Sequence, residues 1–455
     1  MSDVDLLVLG GGSGGYAAAL RAAELGMTVT LIEKDRVGGT CLHRGCVPTK
    51  ALLHTADIVD TVRGAHHHGV DATLSGIDMA AALTHRSQIV SKKFSGLTGL
   101  LAARGITVIE GVGVLDPDGA VRVGEQRITA TDTVIATGAR TKLLPGITPG
   151  PRILTSDTAL DLARVPESVV VLGGGVIGVE FASIWRSLGA QVTIVEPMSR
   201  LLPAEDEASS AALLRAFRKR GIDVTLGQGC SAATEHEDRV TITLSDGSEL
   251  SADVLLLAVG REPATSDLGL EAAGVKLDRG FVMTDDALRA SAPHVWAVGD
   301  VVPGPQLAHR GFAHGIFVAE TIAGLAPAPL DDNAVPRVAY SNPEVASIGL
   351  TEAAATERYG TDAIATAQFS LAANAKSEIL GTSGFVKVIR RIGGPVIGVH
   401  MVGARVGELI GEAQTIVGWE AHPEDVAPLL HAHPTQGEAL GEAMLMLAGK
   451  PLHAR

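Results

Sequence analysis

The chain has 455 residues, which predicts several domains, because a single domain usually holds about 100 to 200 residues. Its composition, 46% hydrophobic and 19% charged without a low-complexity stretch, excludes extensive disorder. The formal net charge of -14 and the lack of a Lys/Arg-rich segment argue against nucleic acid as a partner.

The apolar runs are short and the cysteines are few. The first run, Val4 to Leu9, ends at Gly10, which is too early for a signal sequence, and no run reaches the ~18 apolar residues of a membrane span. Two of the three cysteines are five residues apart and Cys230 is distant, unlike the even-numbered set of a secreted scaffold. We therefore expect a soluble cytoplasmic protein with Cys41 and Cys46 as a reactive pair.

The segment from Asp5 to Glu33 predicts a strand, a glycine turn, a helix and a second strand. Gly10, Gly12 and Gly15 form G-x-G-x-x-G, in which the three glycines permit a tight turn, the approach of a pyrophosphate and close helix packing. Glu33 follows Gly10 by 23 residues, where a carboxylate can bind a ribose diol. This pattern predicts a dinucleotide site.

The next segment, GGTCLHRGCVPTKALLH, places Cys41 and Cys46 at the start of an apolar helical pattern. A helix N-terminus stabilises a thiolate, which is the reactive form of cysteine. The alternatives are two packed cysteines or half of a metal site. A metal site would need more ligands than His43 supplies, so the pattern favours redox chemistry and predicts no metal.

The first pattern returns from Ser168 (VVVLG, GGVIG, VEFASIWRSLG, AQVTIVE), with Gly173, Gly175, Gly178 and Glu196 at the same spacing. Glycine turns also occur for purely structural reasons, but two matched copies make that alternative less favourable. Because Glu196 would repel a ribose 2'-phosphate, we expect the second site to take NAD rather than NADP.

The segment HAHPTQGEALGEA near the C-terminus contains His431, His433 and Glu438. The ordinary pKa of histidine suits proton exchange with a thiol near neutral pH, and a carboxylate can fix its tautomer. A lone histidine is more often a capping or packing residue, so the residues alone leave both interpretations open. The run from His66 to His68 is most simply a solvated turn.

These motifs resemble the pyridine nucleotide-disulfide oxidoreductases, the family of glutathione, mercuric and lipoamide reductases. The two fingerprints, the cysteine pair, the AVGD segment and the HPT motif stand in the family's order over essentially the whole chain. The doubled histidine of HAHPT is the variant associated with the lipoamide dehydrogenase branch.

The resemblance implies a role for each matching residue. FAD would be held by Gly10, Gly12, Gly15, Glu33, Lys50, Gly138, Asp300, Leu307, Ala308 and His309, and NAD by Gly173, Gly175, Gly178, Glu196 and Gly260. Cys46 would be the sulfur next to the flavin and Cys41 the sulfur that exchanges with substrate. Lys50 would lie at the flavin and pair with Glu180.

The fold implied is α/β, with two Rossmann-like dinucleotide-binding domains and a C-terminal α/β dimerisation domain. The FAD-binding domain would comprise residues 1–146 and 265–335, the NAD-binding domain 147–264 and the interface domain 336–455. In the homodimer that this implies, His433 would serve the cysteines of the other chain, steadied by Glu438.

The implied reaction is the oxidation of protein-bound dihydrolipoamide by NAD+, with the lipoyl group presented by the acyltransferase of a 2-oxoacid dehydrogenase complex. The nearest alternative is an NAD(P)H-dependent reductase of a small disulfide such as glutathione or mycothione. A non-catalytic flavoprotein scaffold is a third interpretation. Two departures from the family pattern stand out: His43 and Arg44 between the cysteines, which can alter the dithiol potential, and Phe312 and His314 in a stretch that is often acidic.

Overall fold

The computed structural model describes residues 3 to 454, in which helices alternate with strands. The helices are α1 Ser13–Glu24, α2 Gly39–His43, α3 Cys46–Gly64, α4 Met79–Ala103, α5 Ser156–Ala159, α6 Val176–Leu188, α7 Glu207–Lys219, α8 Ala308–Ile322, α9 Glu352–Tyr359, α10 Ala375–Ile379, α11 Val406–Gly418, α12 Pro423–Val426 and α13 Glu438–Leu447. The strands are β1 Val4–Leu9, β2 Val29–Glu33, β3 Thr107–Glu110, β4 Gly113–Leu115, β5 Val121–Val123, β6 Gln126–Ile128, β7 Ala130–Ile135, β8 Ala139–Thr141, β9 Ile153–Thr155, β10 Ser168–Leu172, β11 Gln191–Glu196, β12 Ile222–Leu226, β13 Cys230–Glu235, β14 Val240–Leu244, β15 Glu249–Ala252, β16 Val254–Leu257, β17 Arg261–Pro263, β18 Leu277–Asp278, β19 Phe281–Val282, β20 Val295–Ala297, β21 Arg337–Ala339, β22 Glu344–Gly349, β23 Ile364–Ser370, β24 Phe385–Arg391 and β25 Val396–Gly403.

The chain divides into two compact units, each built from separate segments. Unit 1 comprises the residues up to Ala51, Ala80–Lys142 and Gly260–Asp332, and unit 2 comprises Leu52–Met79, Leu143–Val259 and the residues from Asn333 onward. The bounds of the four segments predicted from the sequence stay a prediction. None of the helices within residues 3–454 has the length and apolar character needed to cross a membrane.

A parallel five-stranded sheet with the order β20-β7-β1-β2-β3 forms the centre of unit 1. The central strand β1 buries both of its faces, as a continuous apolar run in a parallel sheet should. Leu6 and Val8 join the core on one face, and Leu7 and Leu9 join the core on the other. β1 ends at Leu9, and the first glycine turn begins at the next residue, Gly10.

Unit 2 contains a second parallel sheet with the order β12-β11-β10-β16-β9. Its strands correspond one to one with those of unit 1, because β10 takes the central place of β1 and β11 follows it as β2 does. A three-stranded antiparallel sheet stands at the same point of both copies, β4-β5-β6 before β7 in unit 1 and β13-β14-β15 before β16 in unit 2. The prediction of two copies of one nucleotide-binding architecture is confirmed.

The C-terminal part of unit 2 is an antiparallel sheet with the order β21-β22-β25-β24-β23. One face of this sheet buries Val386, Val388, Val399 and Met401 in a core shared with residues of α11 and α13. The α/β fold predicted for the C-terminal part is therefore present, and the other face of its sheet carries polar side chains described below.

Candidate active site

The three glycines of the first turn differ in how much space surrounds them. A Cβ atom on Gly10 would lie 2.4 Å from the carbonyl oxygen of Ala136, and one on Gly15 would lie 1.8 Å from the oxygen of Gly10, so neither position admits a side chain. A Cβ on Gly12 would meet its nearest described neighbour, the Cα of Gly39, only at 4.0 Å. The second glycine therefore leaves the open space over the start of α1 that a pyrophosphate requires.

The carboxylate of Glu33 is fixed beside this turn at the end of β2. Its Oε2 accepts a hydrogen bond from Gly11 N at 2.7 Å, and its Oε1 accepts one from Asp35 N at 2.9 Å. A carboxylate offers about four lone-pair positions, so Glu33 keeps acceptor capacity for ribose hydroxyls while its orientation is set by the backbone.

The cysteine segment lies directly on the first glycine turn. Gly38 N donates to Gly11 O at 2.7 Å, and a Cβ on Gly39 would lie 2.7 Å from the Cα of Gly12. Cys41 follows two residues later in the short helix α2, and Cys46 is the first residue of α3. The segment that carries both cysteines is therefore anchored on the first glycine turn, and the roles of the two sulfurs toward a flavin stay a prediction.

The two cysteines are thiols joined by a hydrogen bond. This bond to Cys46 is the largest cause that raises the pKa of Cys41 well above its ordinary value; burial and Asp300 add to it, and the charge of Lys50 opposes it. Cys41 therefore keeps its proton when one sulfur of the pair is ionised. Burial, with a contribution from Cys41, raises the pKa of Tyr16 to about 12, so this phenol stays neutral beside the pair.

Each of the two unusual residues between the cysteines has a partner of its own. The Nε2 atom of His43 hydrogen-bonds to Val37 O at 2.9 Å, and its ring meets the edge of Phe94. Burial lowers the pKa of His43, so the ring is neutral and its Nε2 donates. The guanidinium of Arg44 pairs with Asp35. Neither residue brings an unbalanced positive charge to the sulfurs.

Unpaired buried polar atoms surround the residues predicted to hold FAD. Thr137 Oγ1, Gln306 Nε2, Arg310 Nη1 and His43 Nδ1 are buried without a hydrogen-bond partner among residues 3–454. Thr137 precedes Gly138, and Gln306 precedes Leu307 and Ala308 at the start of α8. Because buried polar atoms are nearly always paired, these atoms fit a large polar ligand, and the residues present match the needs of a flavin dinucleotide. No sequence motif indicated Thr137 or Gln306, although both adjoin residues that were predicted to bind FAD.

The departure at His314 has a structural explanation. This side chain is 3% exposed on α8, and its Nδ1 accepts a hydrogen bond from Gly299 N at 3.3 Å. Burial lowers the pKa of His314 to about 4, so the ring is a neutral acceptor at physiological pH. It fixes the backbone immediately before Asp300. Burial raises the pKa of Asp300, while Arg261 and Arg310 oppose this.

The second glycine turn has the same close approaches and the same carboxylate hydrogen bonds as the first. A Cβ on Gly173 would lie 2.3 Å from Ala258 O, one on Gly178 would lie 1.9 Å from Gly173 O, and one on Gly175 would meet no described atom within 4 Å. The Oε2 atom of Glu196 accepts from Gly174 N at 2.5 Å, and its Oε1 accepts from Met198 N at 2.8 Å. The equal spacing in the sequence therefore reflects the same carboxylate geometry.

The histidine motif contains two pairs of different exposure. His433 Nδ1 lies 2.8 Å from Glu438 Oε1, and the imidazole is 74% exposed. Burial would raise the pKa of Glu438, but hydrogen bonds from Thr435 N and His433 outweigh it and lower the pKa. His431 lies 2.7 Å from Glu412 and is 16% exposed. Of these two histidines, His433 has the exposed ring and His431 the half-buried one.

The remaining predicted residues lie on the elements that the motifs implied. Lys50 is half-buried on α3 in unit 1, and Glu180 is 3% exposed on α6 in unit 2, where its Oε1 accepts from Tyr340 N at 2.9 Å. Their mutual pairing stays a prediction, as do the roles of Asp300, Leu307, Ala308 and His309 toward FAD. Gly260 belongs to unit 1 and follows β16 as Gly138 follows β7.

A family model described as pyridine nucleotide-disulphide oxidoreductase matches residues 4–315, and the model of that family's dimerisation domain matches residues 335–444. The chain belongs to the pyridine nucleotide-disulphide oxidoreductase family. Its similarity to the dihydrolipoyl dehydrogenase of Geobacillus stearothermophilus is 38% identity over 461 residues, 99% of this chain and 97% of that protein. Its similarity to dihydrolipoyl dehydrogenase 3 of Pseudomonas aeruginosa is 38% over 470 residues, 99% of each chain.

Two solved structures are also similar to this chain over nearly its full length. LpdA of Mycobacterium tuberculosis superposes with a TM-score of 0.91 at 28% identity, covering 98% of this chain and 100% of that one. The HOCl-induced flavoprotein disulfide reductase RclA of Escherichia coli, in a Cu(II) complex, gives 0.88 at 29%, with the same coverage. The predicted α/β fold, the disulfide oxidoreductase class and the cofactors FAD and NAD are confirmed, and the dimerisation domain supports a homodimer.

Proposed function

We propose that this oxidoreductase oxidises protein-bound dihydrolipoamide to lipoamide with NAD+ as the final acceptor. The observation that carries this proposal is the 36% to 40% identity, over 96% to 99% of the chain, to bacterial proteins named dihydrolipoyl dehydrogenase. The exposed His433–Glu438 pair and the carboxylate of Glu196 are the local features that agree with it.

The chemistry begins at the disulfide form of the cysteine pair. One substrate thiol loses its proton to His433 and attacks Cys41 Sγ, so that the Cys41–Cys46 bond breaks and Cys46 leaves as a thiolate. The second substrate thiol then attacks the substrate sulfur of the mixed disulfide and releases lipoamide. Cys41 takes up the proton, which agrees with its raised pKa. Two electrons have passed from the substrate dithiol to the cysteine pair.

His433 serves this exchange as the proton acceptor. Its Nδ1 is held by Glu438, which leaves Nε2 as the nitrogen available to a substrate thiol. The large exposed fraction of this ring agrees with the proposal that it acts on the cysteines of a partner subunit. Two apolar side chains of the same C-terminal region, Leu430 and Trp419, are 99% and 82% exposed, and such exposure is typical of a surface covered in an oligomer.

FAD would be held by the first glycine turn, Glu33 and Asp300, and NAD by the second turn and Glu196. When bound, FAD supplies the two-electron chemistry that accepts electrons from a dithiol and delivers them to NAD+ as hydride. Glu196 favours NAD over NADP because its Oε2 is held at the turn by Gly174 N and its Oε1 by Met198 N, so that a 2'-phosphate would meet a fixed negative charge.

We further propose a cytoplasmic setting in which the acyltransferase of a 2-oxoacid dehydrogenase complex presents the lipoyl group. Support comes from the dihydrolipoyl dehydrogenase relatives and from a cysteine content without the even-numbered set of a secreted scaffold. The family resemblance alone supports the proposed roles of Lys50 beside the flavin and of Glu180 as its partner.

The test is a set of assays on the FAD-loaded protein. NAD+ reduction with dihydrolipoamide is compared with NADH and NADPH oxidation in the presence of glutathione disulfide or mycothione disulfide. We expect the first reaction to be the fastest. A protein that carries FAD and reduces a small disulfide, but does not oxidise dihydrolipoamide, would refute the proposal in favour of the reductase alternative.

A further inference from the structure

Four polar side chains form a row across the C-terminal sheet of unit 2. The strand register places Arg337 opposite Ser347, Ser347 opposite His400 and His400 opposite Lys387, on β21, β22, β25 and β24 in turn. Ser347 and His400 are fully buried, and Lys387 is 7% exposed. Residues directly opposite one another lie on the same face of a sheet. These polar side chains therefore occupy one face at positions where a covered sheet usually carries apolar residues.

Two adjacent carboxylates meet the charged ends of this polar row. Lys387 Nζ lies 2.7 Å from Asp206 Oδ1, and Arg337 Nε lies 3.2 Å from Glu205 Oε1. Asp206 and Glu205 are 2% and 7% exposed, and the Lys387–Asp206 pair is buried on both sides, whereas the Arg337 side chain is 26% exposed. Lys387 is thus the cation at the centre of a buried ionic contact between the sheet and the segment before α7.

Asp206 also connects two helices to this contact. Its Oδ1 accepts from Ala208 N at 3.1 Å and so caps α7, while its Oδ2 accepts from Glu352 N at 3.0 Å, at the first residue of α9. The Oε2 of Glu352 lies 2.6 Å from Lys387 Nζ, which completes a closed set of contacts. These contacts with Ala208 N, Glu352 N and Lys387 Nζ hold the carboxylate of Asp206 in one orientation.

The same segment reaches the second glycine turn at its other end. The chain from Glu196 to Asp206 passes over the turn, where Leu202 N donates to Gly174 O at 2.8 Å. A Cβ on Gly174 would lie 2.6 Å from Leu201 Cδ2, so the leucine packs directly on the turn. Only three residues separate Leu202 from Asp206. The position of Asp206 therefore constrains the backbone that supports the turn.

A buried ion pair rarely makes a protein more stable than apolar residues of similar volume would, because removing two charges from water costs about as much as their attraction returns. What a buried pair does supply is a single defined arrangement of its partners. We propose that Lys387 and Asp206 are positioning residues for the NAD site, which fix the Leu201–Leu202 segment against the second glycine turn. This inference rests on the proposed use of that turn for NAD.

The experiment compares three variants of the FAD-loaded homodimer. Lys387→Met removes the central cation, Lys387→Arg retains the charge, and Arg390→Met is the matched control. Arg390 stands three residues later on β24, is also 7% exposed and pairs with Glu424 at 2.6 Å, but it faces the other side of the sheet. The readouts are the Kd of NAD+ by calorimetry, the KM for NAD+ and kcat, and anaerobic flavin reduction by dihydrolipoamide without NAD+.

We expect Lys387→Met to raise the Kd and KM for NAD+ about tenfold, the size of an ordinary coupling between connected sites. Its rate of flavin reduction by dihydrolipoamide should stay as in the unmodified protein. Lys387→Arg should restore most of the NAD+ affinity, and Arg390→Met should bind NAD+ normally. Weaker NAD+ binding with unchanged flavin reduction distinguishes a positioning role from a general loss of stability, because a general loss of stability would affect both half-reactions.

An unchanged NAD+ affinity in Lys387→Met would overturn the inference, and so would an equal loss in Arg390→Met. If Lys387→Met does not fold, Asp206→Asn removes the charge while retaining an acceptor, and it should weaken NAD+ binding in the same direction. Normal NAD+ binding in that variant would also refute the role. An unmodified protein that binds NAD+ but does not oxidise dihydrolipoamide would fail the proposed function alone.

Discussion

Alanine at Gly175 should weaken NAD+ binding while leaving the fold intact. Gly175 has φ -75° and ψ -176°, a conformation that alanine adopts without strain, and its new Cβ would meet no described atom within 4 Å. Alanine is a poorer N-cap than glycine, but it restricts the unfolded chain, and these opposite effects of about 0.5 to 1 kcal/mol each should nearly cancel. The methyl group would occupy the space assigned to the pyrophosphate. The cost of forcing one extra methyl into a close contact is about 1 to 3 kcal/mol, or roughly a 5- to 150-fold rise in Kd.

Calorimetric titration with NAD+ measures the affinity, and urea unfolding of the same preparation measures the stability. Two matched variants make the result specific. Gly12→Ala should leave NAD+ affinity intact and reduce FAD retention instead, since Gly12 has the open position in the first turn. Gly178→Ala should destabilise the protein, because its Cβ would lie 1.9 Å from Gly173 O. Normal NAD+ affinity in Gly175→Ala would refute the assignment of the second turn.

Three further predictions concern the sulfur, the base and a buried histidine. Cys46→Ser should abolish the long-wavelength charge-transfer absorption of the reduced enzyme, measured by anaerobic titration, and a surviving band would contradict the assignment of that sulfur. Glu438→Gln should lower kcat for dihydrolipoamide about 10- to 100-fold with little change in NAD+ affinity, because His433 loses the carboxylate that orients it; an unchanged kcat would exclude this role. The pKa of His314 is lowered from 6.5 to about 4, so the unfolded chain binds this proton more readily. The contribution of neutral His314 to stability is full above about pH 6.5 and is lost as the pH falls toward about 4. Between pH 7 and 5, the free energy of unfolding in urea should therefore fall by about 2 kcal/mol less in His314→Asn than in the unmodified protein. An equal fall in both proteins would show that His314 is not responsible.

The parts of the site that the sequence predicted correctly depend on local geometry. Gly10 and Gly15 approach each other within one turn, and Glu33 reaches that turn from the strand next in sequence. The position of Cys46 at the first residue of α3 also follows from the adjacent segment. Such features repeat wherever a strand, a turn and a helix follow in this order, so their spacing alone carries the information.

The features that the sequence did not predict depend on distant partners. His314 is 15 residues from Gly299, and nothing in its own helix indicates that it accepts a hydrogen bond there. Thr137 and Gln306 come from separate segments of unit 1, and both have buried polar atoms without a partner among the described residues. A single sequence does not say which strand ends meet, so their common role becomes visible only after the sheet is assembled.

Lys387 shows how a local pattern can nevertheless point to a distant partner. Alternation along β24 places Lys387 on the same face as Phe385 and Ile389, which are 5% and 0% exposed. A lysine between two buried apolar neighbours on one face is expected to be buried itself, and a buried ammonium requires a carboxylate. The pattern GFVKVIRR therefore implies an acid elsewhere in the chain, although only the strand register and the capping of α7 identify it as Asp206. The requirement for charge pairing thus carries sequence information over 181 residues, a distance at which periodicity carries none.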